Sequence, residues 1–266
     1  MGTENLLFLL AGICLVIAIF LGYRLLKSPI WKQRQLQKAA KMAAEGNVQD
    51  MIDYLEVNRN KKNVACPLTN ALIFYFIRSG ETEKAEKIVV NAMDAGDNSG
   101  TAMAQMAFIA QQNGQNENAE KFYRQAMEKD PELEGTMKVN LAGLFINMNQ
   151  RLDEAEALLE EALEQRHGAG KSGVYLNLAM LHMKRNEYSR ARASAMTSAE
   201  LLPDTPITRM GKAQAFGLAA RCSVKLKDSS EAKRLATKAL KTLDKQPGTE
   251  KLQQELMAIV GEKAKS

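Results

Sequence analysis

Histidine, cysteine, tryptophan and proline are all scarce: two His, three Cys, one Trp and six Pro among 266 residues. Cys14, Cys66 and Cys222 lie far apart and match no CxxC or Cys/His spacing, which excludes a structural zinc site and a disulfide scaffold. An odd thiol count fits a reducing compartment better than an oxidising one. The shortage of proline and aromatic residues, beside abundant Ala, Met, Lys and Glu, argues for helix rather than sheet, because unbranched side chains lose little rotamer freedom in a helix. The expected fold class is all-α.

A spread-out basic surface is also missing. The formal charge is +5, but residues 1–41 contain six basic residues and one acid, and the rest of the chain is balanced. The basic residues Arg24, Lys27, Lys32, Arg34, Lys38 and Lys41 therefore account for the whole excess. A neutral body argues against nucleic acid as a partner.

The segment "LLFLLAGICLVIAIFLGY", Leu6 to Tyr23, carries no charge and would span about 27 Å as a helix, enough for a bilayer's hydrocarbon core. MGTEN before it lacks Lys and Arg, and no small-x-small cleavage site follows, so a membrane anchor over 1–27 is expected rather than a signal peptide. The basic residues follow the span, so the positive-inside rule puts the amino terminus outside and the remainder in the cytoplasm. Ala18 and Gly22 form a small-xxx-small pair that keeps a homo-oligomer among the alternatives, although a plain lipid-facing helix explains them as well.

Beyond the span the chain repeats. "VNLAGLF" at 139–145 is echoed by "LNLAMLH" at 176–182, and each is followed by a polar turn and a second helical pattern with small residues at fixed spacing. The spaced trios are Ala85/Val89/Ala92, Ala119/Tyr123/Ala126, Ala155/Leu159/Ala162, Ala191/Ala195/Ser198 and Ala232/Ala236/Ala239, with a weaker copy at Met51 and Leu55. The anchors Met51, Ala85, Ala119, Ala155, Ala191 and Ala232 are 34, 34, 36, 36 and 41 residues apart. Helices cross closely only where side chains are small, so these positions are expected in the core.

A helix–turn–helix period of 34 residues resembles the tetratricopeptide repeat family. Gly46, Gly80 and Gly114 fall in its inter-helix turn, Pro131 and Pro203 follow its second helix, and Leu141–Ala142 and Leu178–Ala179 match its large-small pair. The resemblance implies that the expected transmembrane helix is followed by a right-handed superhelix, an α-solenoid. Juxtamembrane helices and a degenerate first repeat would occupy 28–65, about five repeats 66–246, and a capping helix 247–266. The layout is similar to that of bacterial inner-membrane adaptors of the lipopolysaccharide assembly protein B type, without their four-cysteine rubredoxin-like tail.

No catalytic constellation is recognisable, so the chain is not expected to be an enzyme or to need a cofactor. His182 stands at a core position of a first helix. "GAGKS" at 168–172 lacks the spacing of a phosphate loop and reads as a repeat connector. Glu154, Glu160, Glu161 and Glu164 are expected on a solvated outer face.

What remains is the groove such repeats line with their first helices. The resemblance places Asn70, Phe74 and Arg78 there, then Gln105, Phe108 and Gln112. Next come Asn140 and Asn147, then Asn177, Met180 and Lys184, and last Arg221 and Lys225. Asn140 and Asn177 share a position that suits either a peptide backbone or a neighbouring helix. Val139, Gly143, Leu176, Met180, Gln214 and Leu218 stand where some relatives carry a carboxylate clamp, so that clamp is absent. The expected function is a membrane-anchored scaffold or adaptor that recruits a protein or peptide partner. Two alternatives remain: an envelope-complex assembly chaperone with its repeats on the extracytoplasmic side, and a self-assembling structural protein.

Overall fold

The computed structural model describes residues 29–205, 208–243 and 249–261. These form thirteen α-helices and, among the described residues, no strand. In chain order they are α1 Pro29–Ala44, α2 Val48–Asn58, α3 Pro67–Arg78, α4 Thr82–Asp94, α5 Gly100–Gln112, α6 Asn116–Lys129, α7 Glu134–Met148, α8 Leu152–Gln165, α9 Ser172–Lys184, α10 Tyr188–Leu201, α11 Arg209–Lys225, α12 Ser229–Leu243 and α13 Glu250–Gly261. The apolar segment at 6–23, with Ala18 and Gly22, lies outside the described residues, among which no helix is long and apolar enough to cross a membrane.

The chain divides into two compact units, one ending at Gln115 and one beginning at Asn116. In the first, α1 to α5 enclose a core of Leu55, Val64, Leu68, Leu72, Ile73, Val89 and Ile109. In the second, the carboxyl-terminal core gathers Phe216, Leu218, Leu235, Ala236, Leu243 and Leu256.

Each hairpin is closed by the same backbone device. The first helix ends with a residue in left-handed conformation, and the next N–H reaches five residues back: Asn47 to Met42, Glu81 to Phe76, Gln115 to Ala110, Gln150 to Phe145, Glu187 to His182 and Asp228 to Ser223, at 2.8–3.0 Å. This is the Schellman closure, which satisfies carbonyls that would otherwise be orphaned at a helix end. Gly46, Gly80 and Gly114 hold the left-handed position as expected, with φ of 84°, 81° and 73°. Later hairpins use Asn149, Asn186 and Lys227 instead, at 53°, 61° and 60°. A left-handed Asn is tolerated because its short polar side chain bonds locally. Lys227 has no such help.

The small residues are where the repeat spacing puts them. Ala85, Ala119, Ala155 and Ala191 are fully buried, as are the second members Val89, Tyr123, Leu159, Ala195 and Ala236. The serine that replaces alanine at 198 is buried without loss, because its hydroxyl donates to the Ser172 carbonyl at 2.9 Å and the Ser172 hydroxyl donates back to the Ser198 carbonyl at 3.0 Å. In the first unit the connector after α2 is tied down by Asp97, whose carboxylate accepts from the Val64 N–H at 2.7 Å and the Ser99 N–H at 3.1 Å. At the end of the second unit α13 lies over Gly217, where an added Cβ would meet Leu252 and Leu256 at 3.4 Å. Leu252, Leu256 and Ile259 thus pack against that core, as the capping pattern predicts.

Ala195→Leu is predicted to destabilise the protein by about 1–3 kcal/mol through overpacking. Ala193→Leu, on the exposed side of the same helix, is predicted to change stability by less than about 0.5 kcal/mol. Urea unfolding of the two variants checks this; equal losses would contradict the close crossing at α10.

Candidate binding surface

Burial is unequal between the two helices of a hairpin. Each second helix puts its small residues into the core, while the first helices range from α3, which exposes Phe74, to α11, which is buried all round at 215–220 and exposes side chains only toward its ends.

In the first unit α3 and α5 present Phe74 and Phe108 at the same register, 34 residues apart. Phe74 is 50% exposed, whereas Phe108 leans on the core and is half-buried. Asn70 and Gln105 are half-buried beside them, and Gln112 is exposed at the end of α5. Arg78 closes α3, and its side chain is outside the described part.

In the second unit Asn147, Lys184 and Lys225 occupy equivalent places near the carboxyl ends of α7, α9 and α11, and all three are exposed. Met180 is half-buried against the carboxyl-terminal core. Arg221 is exposed and lies 3.9 Å from Glu255 of α13, so the capping helix partly neutralises it.

The two asparagines part company. Asn177 donates from Nδ2 to the Val139 carbonyl at 2.9 Å, joining α9 to α7. It lies over Gly143, where a Cβ would come within 3.3 Å of Nδ2. Of the two uses expected for this amide, helix-to-helix bonding is the one the structure shows. Asn140 is half-buried and makes no such bond among the described residues.

The acidic stretch at 153–165 departs from expectation. Glu160 and Glu164 are exposed, but Glu154 belongs to a four-charge cluster. Arg151 bonds Glu120 at 2.8 Å and Glu154 at 2.7 Å, and Arg124 bonds the same two carboxylates at 2.8 and 3.1 Å. The Arg151 guanidinium also stacks 4.1 Å above the Phe145 ring. Burial raises the Glu120 carboxyl, but hydrogen bonds from Arg124 and Arg151 outweigh it and hold it below the usual value. Glu161 pairs with Lys138 at 2.6 Å, and Arg185 reaches back to Glu156 at 2.6 Å. Glu161 stays exposed, as expected, and its pair lies within one hairpin, whereas the pairs of Glu154 with Arg124 and of Glu156 with Arg185 stitch neighbouring repeats. Such partners lie about thirty residues away and only the 34-residue period brings them near.

The remaining titratable groups are structural. His182 is buried and its Nδ1 lies 3.0 Å from a Glu187 carboxylate oxygen. Desolvation, helped by the nearby Arg190 charge, outweighs Glu187 and pushes the imidazole below its ordinary 6.5. His167 precedes a short 3₁₀ turn, Gly168–Lys171, in the connector between α8 and α9, and its side chain makes no capping hydrogen bond there. Cys222 is fully buried and its thiol is pushed up to about 11 by desolvation. Cys66 is different: burial raises its thiol, but backbone hydrogen bonds at Asn60, Leu68 and Thr69 prevail and lower it. Among the described residues no group of three potential metal ligands converges.

Set beside known proteins, residues 101–133 match the family model of the tetratricopeptide repeat. A search by sequence among proteins of curated function finds no match. Solved structures align over most of the chain. The APC/C hetero-tetramer Cut9–Hcn1 aligns at 16% identity with a TM-score of 0.65, covering 88% of this chain and 44% of that one. Yeast Tom70 aligns at 16% identity and 0.60, covering 85% and 45%. PilW, a widely conserved type IV pilus biogenesis factor, aligns at 19% and 0.55, covering 65% and 76%. This chain spans less than half the length of the first two. At such identities the likeness establishes the fold: an all-α, tetratricopeptide-like solenoid.

Because folded His182 binds a proton less readily than its unfolded counterpart, its contribution to stability is complete above about pH 6.5 and is lost as pH falls below that. The urea midpoint of wild type is predicted to drop between pH 7.5 and 5.5 by more than that of His182→Gln. Identical pH dependence in the two proteins would contradict the assignment.

Proposed function

We propose that this chain is a membrane-anchored adaptor that binds a protein or peptide partner on the free faces of its first helices and holds it at the membrane. The observation that carries the reading is the half-exposed Phe74, in register with Phe108, on helices whose opposite sides form the core. A large aromatic at 50% exposure gains most when a partner covers it, and such side chains dominate the energetics of protein interfaces. No second helix exposes an aromatic as far as Phe74 is exposed, although Val57 on α2 is an exposed aliphatic side chain.

The second unit supports a complementary polar contact. Asn147, Lys184 and Lys225 stand exposed at successive helix ends, suited to orient a partner rather than supply bulk affinity. Asn177 has a structural duty and is excluded from the binding row; Asn140 stays in it. The anchor rests on the uncharged run at 6–23 followed by Arg24, Lys27 and Lys32, which favours a cytoplasmic position for the repeats.

The test is photo-crosslinking in cells, with a benzophenone amino acid placed at Phe74, Gln112 or Lys184 and, as controls, at the exposed second-helix positions Lys87 and Glu160. Discrete adducts are predicted from the first-helix positions only, all in the membrane fraction, and redistributed to the soluble fraction when residues 1–23 are deleted. Adducts arising chiefly from Lys87 and Glu160 would contradict the surface. Adducts that stay soluble with the full chain would contradict the anchor.

A further inference from the structure

Outside that surface, one hollow in the first unit has a chemistry of its own. It measures about 490 Å³ and lies between the start of α1 and the connector from α2 to α3. Trp31 and Lys32 form one wall, and Arg59, Asn60, Asn63 and Cys66 the other. No carboxylate lines it.

Arg59 is the notable member. Its side chain is only 8% exposed, yet among the described residues it is engaged only through Nε, by Glu56 at 2.8 Å. Its two terminal NH₂ groups are not buried orphans; they keep contact with solvent, so a ligand entering the hollow can reach them. A partly desolvated guanidinium gains from an anion that meets its remaining donors. The amides of Asn60 and Asn63 use their oxygens on the Lys62 and Cys66 N–H groups, at 3.0 and 3.1 Å, so their NH₂ groups are donors to spare. Lys61 and Lys62 add two exposed charges on the same connector. Although Arg59 already pairs with Glu56 and part of the lining is apolar, the donors gathered here suit an anion with several acceptor oxygens, and the planar guanidinium fork suits a phosphate.

We infer that this hollow binds the phosphate headgroup of an acidic phospholipid, with Arg59 and Lys32 as its counter-charges. The choice of a lipid over a free phosphate rests on the membrane anchor proposed above. Trp31 follows the end of the apolar run at Tyr23 by eight residues, and a chain of that length reaches at most about 29 Å. The hollow is therefore tethered within reach of the headgroups. Indole is at home at the bilayer interface, and basic residues next to a span draw on the negative potential of the cytoplasmic leaflet. Headgroup recognition would fix how the first unit stands on the membrane, which an anchor alone does not do.

Trp31 is the only tryptophan in the chain and reports on the hollow directly. The full-length protein in neutral detergent is titrated with dihexanoyl-phosphatidylglycerol, dihexanoyl-phosphatidylcholine and inorganic phosphate while Trp31 fluorescence is read. A saturable response to the glycerol lipid is expected, at a midpoint about tenfold or more below that of the choline lipid, and weakened about tenfold or more in Arg59→Gln. Lys32→Gln, on the rim in the first turn of α1, is the second variant and weakens binding without touching the buried pair. Superimposed responses to the two lipids, or equal responses in wild type and Lys32→Gln, would overturn the inference. Inorganic phosphate saturating the signal at the same concentration as the glycerol lipid would overturn the lipid assignment and leave a simple anion site. Extraction of native membranes with alkaline carbonate reads the anchor separately, since release of the protein would end that reading without altering the titration.

Discussion

Close approach of two helices at small side chains is the constraint on which this structure depends. Alanine at 85, 119, 155 and 191 is fully buried, so the crossing leaves no room for even one more methylene without displacement. The small-residue face of each second helix is then committed to the core. Its bulkier partners, such as Leu159 and Tyr123, fill the space between crossings, and burial pushes the Tyr123 phenol well above its ordinary value. The Schellman closure sets where the chain turns back, and the two devices together fix which residues of the first helix stay free.

That division of labour separates stability from recognition. Charge partners such as Arg151 with Glu120, and Arg185 with Glu156, join one repeat to the previous one without entering the first-helix face. Exposed pairs of this kind contribute little singly, about 0–1 kcal/mol, but the shared network around Glu120 and Glu154 limits slippage between repeats. Asn177 shows the same economy from the other side: an amide with the chemistry of a ligand contact is spent on the Val139 carbonyl, holding α9 to α7. What stays exposed on the first helices after these ties are made is aromatic in the first unit, amide and basic in the second.

Much of this was legible in the sequence, for a physical reason. Burial at a helix crossing accepts few residue types, so the trios at 85, 119, 155, 191 and 232 survive as a readable period. The glycine turns were legible on the same grounds, since a left-handed residue in a turn selects glycine. Asn149, Asn186 and Lys227 were not, because hydrogen bonds of the closure override a modest local preference. Long-range polar partners were hidden altogether. Nothing around Asn177 names a carbonyl 38 residues away, and nothing around Glu154 distinguishes it from the exposed Glu160. Sequence patterns report which residue types a position tolerates, whereas the partner of a polar side chain lies on another helix and leaves no local mark.

Hydrogen exchange read by mass spectrometry tests the central claim most directly. If close crossings at small residues hold the repeats, the amides of α8 and α10, centred on Ala155–Leu159 and Ala191–Ala195, are predicted to exchange far more slowly than those of the connector at 166–171. Ala195→Leu should accelerate exchange in α10 and in its neighbours α9 and α11. Exchange in α8 and α10 as fast as in the connector would contradict the account.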